Sequence, residues 1–536
     1  MARMTGAQAA IAALRAHGVD TVFGIPGVHT LPLYDAMRST PGFRHILARH
    51  EQGAGFMAEG YARAGGRVGV ACTITGPGVT NIATPMASAY ADSIPLFVLS
   101  TSLPRRATRR PMGLLHEVKD QLGVMESLAG WTRVVESVEE IADAIYDAFR
   151  QMRGGRPRGS YLQIPLDLLE LEAEVRIEPP SDPTLVAPSP ARLAEAAALL
   201  REARRPVILA GAGVTFAGGN AALRELAELL HAPVLLGSKS RDVLPSDFPL
   251  VIATNGYSVP DEVRHVLETS DAALVVGSKL GVERMGWRRL PVPEATIHVD
   301  IDPSEIGRQY PVSIALVADA RLTLEALVDA LRGDPGTKDH RQAEIATARE
   351  AVLAAARRSY GSTLHYLDAV RAALPRDGVV VADMTMLGYA STEYFAVTEP
   401  RTYMHPSELC TIGCALPTAL GARVAVGSRP VAAICGDGGF LLNTGEMASA
   451  VQERIGVIAL VFNDSTYSAV KYDQQERFDG RYIATDLTAP DFVALARAFG
   501  ARGCRVDSPA ALQEAVSEAI GAIGPTLIEV PIQRTW

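Results

Sequence analysis

Two turns in the last third of the chain put carboxylates at the ends of apolar runs. Gly436-Asp437-Gly438-Gly439 follows Val431 to Cys435, and Asn463-Asp464-Ser465-Thr466 follows VIALVF, with a helical stretch between them. A strand, a crossover helix and a second parallel strand bring neighbouring strand ends side by side. Asp437 and Asp464 can then meet at one hard cation that also holds a phosphate group, and oxygen ligands favour magnesium. Either turn alone reads equally well as an ordinary glycine or Asx turn; the conjunction is what points to metal and phosphate. A second set of candidates lies near the N-terminus. Glu51, in Arg49-His50-Glu51-Gln52-Gly53-Ala54, opens a helix, where a carboxylate serves as a dipole partner or, in a poorly hydrated pocket that raises its pKa, as a general acid–base. His29, in Pro26-Gly27-Val28-His29, and His116, in Leu114-Leu115-His116-Glu117, are either loop histidines or proton shuttles.

The elements that must position these residues alternate. Short β-branched runs end in glycine and lead into Ala- and Leu-rich helical stretches: Val68 to Thr73 before Gly76, Val207 to Ala210 before Gly211, and Val431 to Cys435 before Gly436. That alternation specifies parallel sheets with ligand sites at the carboxyl ends of strands. At roughly 100–200 residues per domain the chain divides into about three. The joints fall at the proline-bearing run Arg176 to Pro190 and at RGDPGTKDHRQ, Arg332 to Gln342. The expectation is α/β architecture with three doubly wound parallel-sheet domains over residues 1–175, 190–332 and 345–536.

Composition narrows the classes. With 48% hydrophobic and 21% charged residues the chain can bury large cores. Its 60 acidic and 51 basic residues are mixed along the sequence, which leaves no basic stripe for nucleic acid. No apolar run approaches the ~20 residues of a membrane span, and the start lacks a secretory signal. Five cysteines without a C-x-x-C pair suit a reducing cytoplasm. A soluble cytoplasmic protein acting on a small molecule is expected.

The run RHEQGAGFMAEGYARAGG, followed by TITGPGVTN and SAYADSIPLFVLS, resembles the pyrimidine-binding domain of the acetolactate synthase and 2-oxo acid decarboxylase family. The Gly-Asp-Gly and Asn-Asp pair resembles that family's thiamine-diphosphate motif, with Asp464 where asparagine is usual. The resemblance implies that Asp437, Asp464 and the carbonyl of Thr466 bind magnesium. It implies that Glu51 bonds N1′ of the aminopyrimidine and makes the 4′-imino nitrogen basic enough to take the C2 proton. Cys410-Thr411-Ile412-Gly413 matches the segment whose backbone holds the pyrimidine, with Cys410 replacing a glycine and Ile412 as the wedge under the folded cofactor. Thr75, Gly76, Asp383, Thr385, Gly436, Gly438, Gly439, Thr466, Tyr467 and Ser468 complete the expected cofactor contacts. The resemblance also implies a homodimer or homotetramer with active sites between subunits.

For the substrate pocket the resemblance gives Val28, His29, Leu115, His116, Ala469, Val470 and Asp473. Ala469 leaves room, and Asp473 stands where an aromatic residue is usual and can pair with a cationic tail or remain a solvated helix charge. This tilts the reading toward decarboxylation of a longer or basic 2-oxo acid, as in 5-guanidino-2-oxopentanoate decarboxylase, through a C2 ylid and an enamine with release of an aldehyde. The alternatives are an acetolactate synthase and a non-catalytic, thiamine-diphosphate-binding regulator. Gly211-Ala212-Gly213-Val214 in the middle stretch is not a full dinucleotide fingerprint, so FAD is possible but not favoured.

Overall fold

The computed structural model describes all residues except 108–109, 111, 182–183, 255–258, 281–288 and 534–536; Pro183 of the first joint lies outside the described residues. Three six-stranded sheets, each parallel throughout, form the expected α/β architecture. In the first, the order is Arg44–Leu47, Thr21–Gly24, Gly69–Thr73, Leu96–Ser102, Ser160–Pro165, Trp131–Val134. In the third it is Tyr403–Met404, Val379–Ala382, Val431–Gly436, Ile458–Asn463, Thr526–Pro531, Arg502–Arg505. The middle sheet is centred on Pro206–Ala210 and Ala272–Val276. Central strands such as Val431–Gly436 read as continuous apolar runs because helices cover both of their faces. The first and third sheets share one core, in which Phe23, Met57 and Val98 of the first domain join Leu416, Val431 and Phe440 of the third. The helix Gln342–Tyr360 serves two cores, placing Ile345, Ala348 and Val352 in the middle domain's and Ala356 in the third's.

One helix crossing fixes how the outer domains meet. Helix Glu51–Gly65 is buried almost all round, which its small and apolar residues (Gly53, Ala54, Gly55, Ala58, Gly60) permit. His50 Nδ1 accepts the Gln52 amide at 3.1 Å at its start, and Gly66 ends it in the left-handed region. It crosses helix Ala415–Val426 backbone to backbone. A Cβ on Gly60 would stand 1.9 Å from the Thr418 carbonyl oxygen, and one on Gly421 would stand 1.7 Å from that of Met57.

Any side chain at these two positions must push the domains apart. Gly421→Val is therefore expected to lower unfolding stability by about 1–3 kcal/mol or more, read as a lower urea midpoint. Gly333→Ala, where a Cβ would meet no atom within 4 Å, leaves the midpoint at or above that of the parent.

Candidate active site

The diphosphate-side residues converge at the carboxyl ends of the third sheet. The two parallel strands Val431–Gly436 and Ile458–Asn463 are direct neighbours, with Gly436 paired to Phe462. Asp437 follows the first strand and Asp464 the second. Asp437 is buried, and burial together with the nearby Asp464 carboxylate pushes its pKa up to about 6. Its Oδ2 is buried without a hydrogen-bond partner among the described residues. Ser468 Oγ donates to Asp464 Oδ2, and Ser465 between them takes the left-handed conformation at φ 55°.

Glycines bring the other predicted residues against this turn. A Cβ on Gly436 would lie 2.9 Å from Thr385 Oγ1, and one on Gly438 would lie 2.5 Å from the Tyr467 ring. A Cβ on Gly439 would lie 3.2 Å from Asp383 Oδ2 and 3.3 Å from Ile412. Asp383 is buried at the end of Val379–Ala382, its Oδ1 accepting the amides of Met384 and Gly413 at 2.8 Å each. Burial raises its pKa to about 6, and its Oδ2 also lacks a partner. Cys410 sits at φ 56°, in the region that favours glycine, and its Sγ donates to the Ser407 carbonyl at 3.4 Å. Thr466 is fixed by its hydroxyl on the Thr485 carbonyl at 2.6 Å. Among the described residues no three His, Cys, Asp or Glu side chains converge, so a cation here would rest on two carboxylates and a main-chain oxygen. The buried, unpaired Asp437 oxygen beside Asp464 fits a divalent cation that could also carry a diphosphate.

Glu51 lies in the first domain, 8% exposed, at the start of its helix. Asn81 Nδ2 donates to its Oε2 at 2.9 Å, and its Oε1 faces Gly78, where a Cβ would be 3.4 Å away. Tyr34 is close enough for the Glu51 charge to help burial raise its pKa. His29 and His116 meet edge to face with ring centroids 5.1 Å apart, each Nδ1 buried without a partner among the described residues. Burial and the neighbouring His116 lower the pKa of His29. Of the pocket residues, Val28, Leu115 and Val470 are more than half exposed, whereas Ala469 and Asp473 are half-buried on helix Ser468–Arg477. The partners just named for Glu51 belong to the first domain and those for Asp437 to the third.

Two carboxylates bridge these domains beside the candidate segments. Glu446, buried on the helix after the Gly-Asp-Gly turn, accepts the Arg49 amide at 3.1 Å and the His50 amide at 3.0 Å, immediately before Glu51. Asp92, at the end of helix Ala83–Asp92, accepts the amides of Ser407 and Glu408 at 3.3 and 3.1 Å, just before Cys410. Sequence reasoning named neither, nor Asn81 and Tyr34. Asn81 lies inside the quoted TITGPGVTN run, but nothing local tells which residue its side chain reaches. A cavity of about 610 Å³ opens where the middle domain meets the outer two, lined by Gly211, Gly237, Lys279 and Asp300 with Arg156 of the first domain and Arg401 of the third.

Models of three consecutive domains match the chain, described as thiamine pyrophosphate enzyme N-terminal TPP binding domain (residues 4–124), central domain (193–327) and C-terminal TPP binding domain (383–530). The chain belongs to the thiamine pyrophosphate enzymes. Its first and third domains are thiamine diphosphate-binding domains, and the family makes it a 2-oxo acid decarboxylase or carboligase by class. It is 37% identical to the probable 2-ketoarginine decarboxylase AruI of Pseudomonas aeruginosa, over 98% of this chain and 94% of that protein. It is 32% identical to the acetolactate synthase isozyme 1 large subunit of Escherichia coli, over 99% and 94%. The probable acetolactate synthase large subunit of Methanocaldococcus jannaschii follows at 31%, over 99% and 92%. Both branches weighed from the sequence are thus among its relatives.

Substitution in each group tests the roles expected of it. Asp437→Asn is expected to weaken magnesium-dependent thiamine diphosphate binding tenfold or more in calorimetric titration. Glu51→Gln should leave that affinity within a few-fold and cut CO₂ release by about 10²–10⁴.

Proposed function

We propose that this enzyme decarboxylates a long or cationic 2-oxo acid to its aldehyde, using thiamine diphosphate and magnesium. The observation that carries the reading is the first domain's arrangement: a buried Glu51 held by Asn81, beside a turn that also seats the His29–His116 pair. Thiamine diphosphate, when bound, supplies the electron sink for the carbanion left by loss of CO₂. Asp437, Asp464 and the Thr466 carbonyl would hold magnesium. Asp383, Thr385, Gly436, Gly438, Gly439, Tyr467 and Ser468 line the place for the diphosphate, Thr75 and Gly76 lie on the pyrimidine side, and the Cys410 backbone and Ile412 would shape the ring's seat. Glu51 would hold its proton toward N1′.

Release as aldehyde needs a proton delivered next to the former carboxylate. His29 and His116, which meet edge to face, would carry that proton, and burial beside His116 favours the neutral form of His29. Asp473, half-buried on helix Ser468–Arg477, is a charge-assisted partner for a guanidinium tail, and the 2-ketoarginine decarboxylase relative supports that assignment. Exposed apolar side chains on both outer domains, Val28, Leu31 and Leu115 in the first and Leu442, Val470 and Ile483 in the third, support a homodimer or homotetramer that completes the site between subunits. The five cysteines are thiols, in keeping with a cytoplasmic setting, and among the described residues no helix is long and apolar enough to cross a membrane. The cavity between the three domains has the size of a nucleotide site; FAD is not part of the proposal.

The relatives at 31–32% identity favour acetolactate synthesis as the second reading. A panel of 2-oxo acids from pyruvate to 5-guanidino-2-oxopentanoate, with CO₂ and organic product followed together, decides between them. Aldehyde from the guanidino acid is expected, and acetolactate from pyruvate overturns the decarboxylase reading. Asp473→Asn should raise KM for the guanidino acid by about tenfold or more and leave KM for a neutral acid of equal length unchanged.

A further inference from the structure

A buried polar cluster in the first domain lies behind the Thr75–Gly76 turn. Gln121, the first residue of helix Gln121–Glu126, is buried with its amide fully engaged. Its Oε1 accepts the Thr75 hydroxyl at 2.5 Å and the Gly76 amide at 2.8 Å. Its Nε2 lies 2.9 Å from the Thr101 carbonyl, 2.8 Å from the Tyr161 hydroxyl and 3.1 Å from Gln163 Oε1. The Gly76 N–H can only donate and the Thr101 carbonyl can only accept, so the position requires one group that does both. A carboxylate loses the donor side, and an apolar residue leaves both sides unpaired in a dry core.

The turn that Gln121 holds supports two functional segments at once. Gly76, at φ 69°, caps the short helix Pro77–Asn81, whose last residue hydrogen-bonds Glu51. On its other side Gly76 carries the main chain of His116, since a Cβ there would stand 2.3 Å from the His116 carbonyl oxygen. His116 is itself left-handed, at φ 66°, and its ring faces His29. The loop from His116 returns to Gln121 within five residues, and Glu117 braces its other end by accepting the amides of Met112 and Leu114. The height of one turn thus sets the aim of the Glu51 carboxylate and the seat of the histidine pair.

We propose that Gln121 is a positioning residue that aligns Glu51 with the His29–His116 pair through the Thr75–Gly76 turn. The catalytic half of this statement rests on the decarboxylase reading; the coupling of the two segments does not. Gln121→Met removes every bond of the amide at similar volume, and Gln121→Glu keeps the acceptors for Thr75 and Gly76 while losing the amide's donor pair.

The test uses the full-length enzyme with thiamine diphosphate and magnesium, and combines hydrogen–deuterium exchange by segment with steady-state kinetics. In Gln121→Met, residues 75–81 and 112–120 should both exchange at least tenfold faster, while helix Ala415–Val426 keeps the exchange of the parent. kcat should fall 10- to 100-fold with KM and thiamine diphosphate affinity within threefold, and Gln121→Glu should fall between parent and Gln121→Met. A uniform rise in exchange, or a loss of activity matching the fraction unfolded, overturns the proposal. So does faster exchange in 75–81 with 112–120 unchanged. Should Gln121→Met fail to fold, Gln121→Glu carries the same comparison. If the parent turns over none of the 2-oxo acids, the decarboxylase reading fails while the paired exchange still decides the coupling.

Discussion

Everything at the site depends on how closely two helices cross. Gly60 and Gly421 let Glu51–Gly65 and Ala415–Val426 meet with main chain against main chain, at a separation no side chain would permit. At that separation each outer domain can reach into the other with a single carboxylate. Glu446 crosses to the amides ahead of Glu51, and Gly53 is what leaves room for it, since a Cβ there would stand 2.1 Å from Glu446 Oε1. Asp92 crosses the other way to the amides ahead of Cys410. Charge-assisted bonds of this kind, made inside a dry interface, are stronger than their exposed counterparts. The proposed acid for the pyrimidine and the proposed loop for its ring are therefore each held in part by the opposite domain.

The same burial that sharpens these contacts also takes two site carboxylates out of water. Asp383 and Asp437 are both pushed up to about 6 by burial, and Asp437 also by the nearby Asp464. Each keeps an oxygen without a partner among the described residues. Taking an ionised carboxylate out of water costs several kcal/mol unless a partner compensates it. A divalent cation is such a partner, and anything that binds only the folded state adds its binding free energy to stability. Site formation and cofactor loading are for this reason one energetic problem rather than two.

Much of this was legible because the relevant signals are local. A strand run ending in Gly-Asp-Gly-Gly, a second ending in Asn-Asp, and a glutamate opening a glycine-rich helix each announce themselves within a few residues, and alternation along the chain is enough for parallel α/β domains. What was not legible is side-chain reach across the fold. Glu446 meets residues 49 and 50, Asp92 meets 407 and 408, and Gln121 meets Thr75 and Tyr161. No periodicity or propensity encodes such pairs, because they exist only once the sheets have placed their loops. The helix Gln342–Tyr360, which feeds two cores, shows the same limit for domain boundaries.

The two departures from the resembling motifs fall at points where the backbone or the charge balance is already under strain. Cys410 replaces glycine at a left-handed position, a conformation that costs a residue with a Cβ roughly 1–2 kcal/mol. Its Sγ bond to the Ser407 carbonyl offsets part of that and ties the loop to the very turn that Asp92 holds. Asp464 stands where the resembling motif has asparagine, which adds a like charge beside Asp437, while Ser468 holds one of its oxygens in place. Neither substitution is neutral locally. Under the proposed assignment, the two departures would change the strength with which the metal side and the pyrimidine side are held.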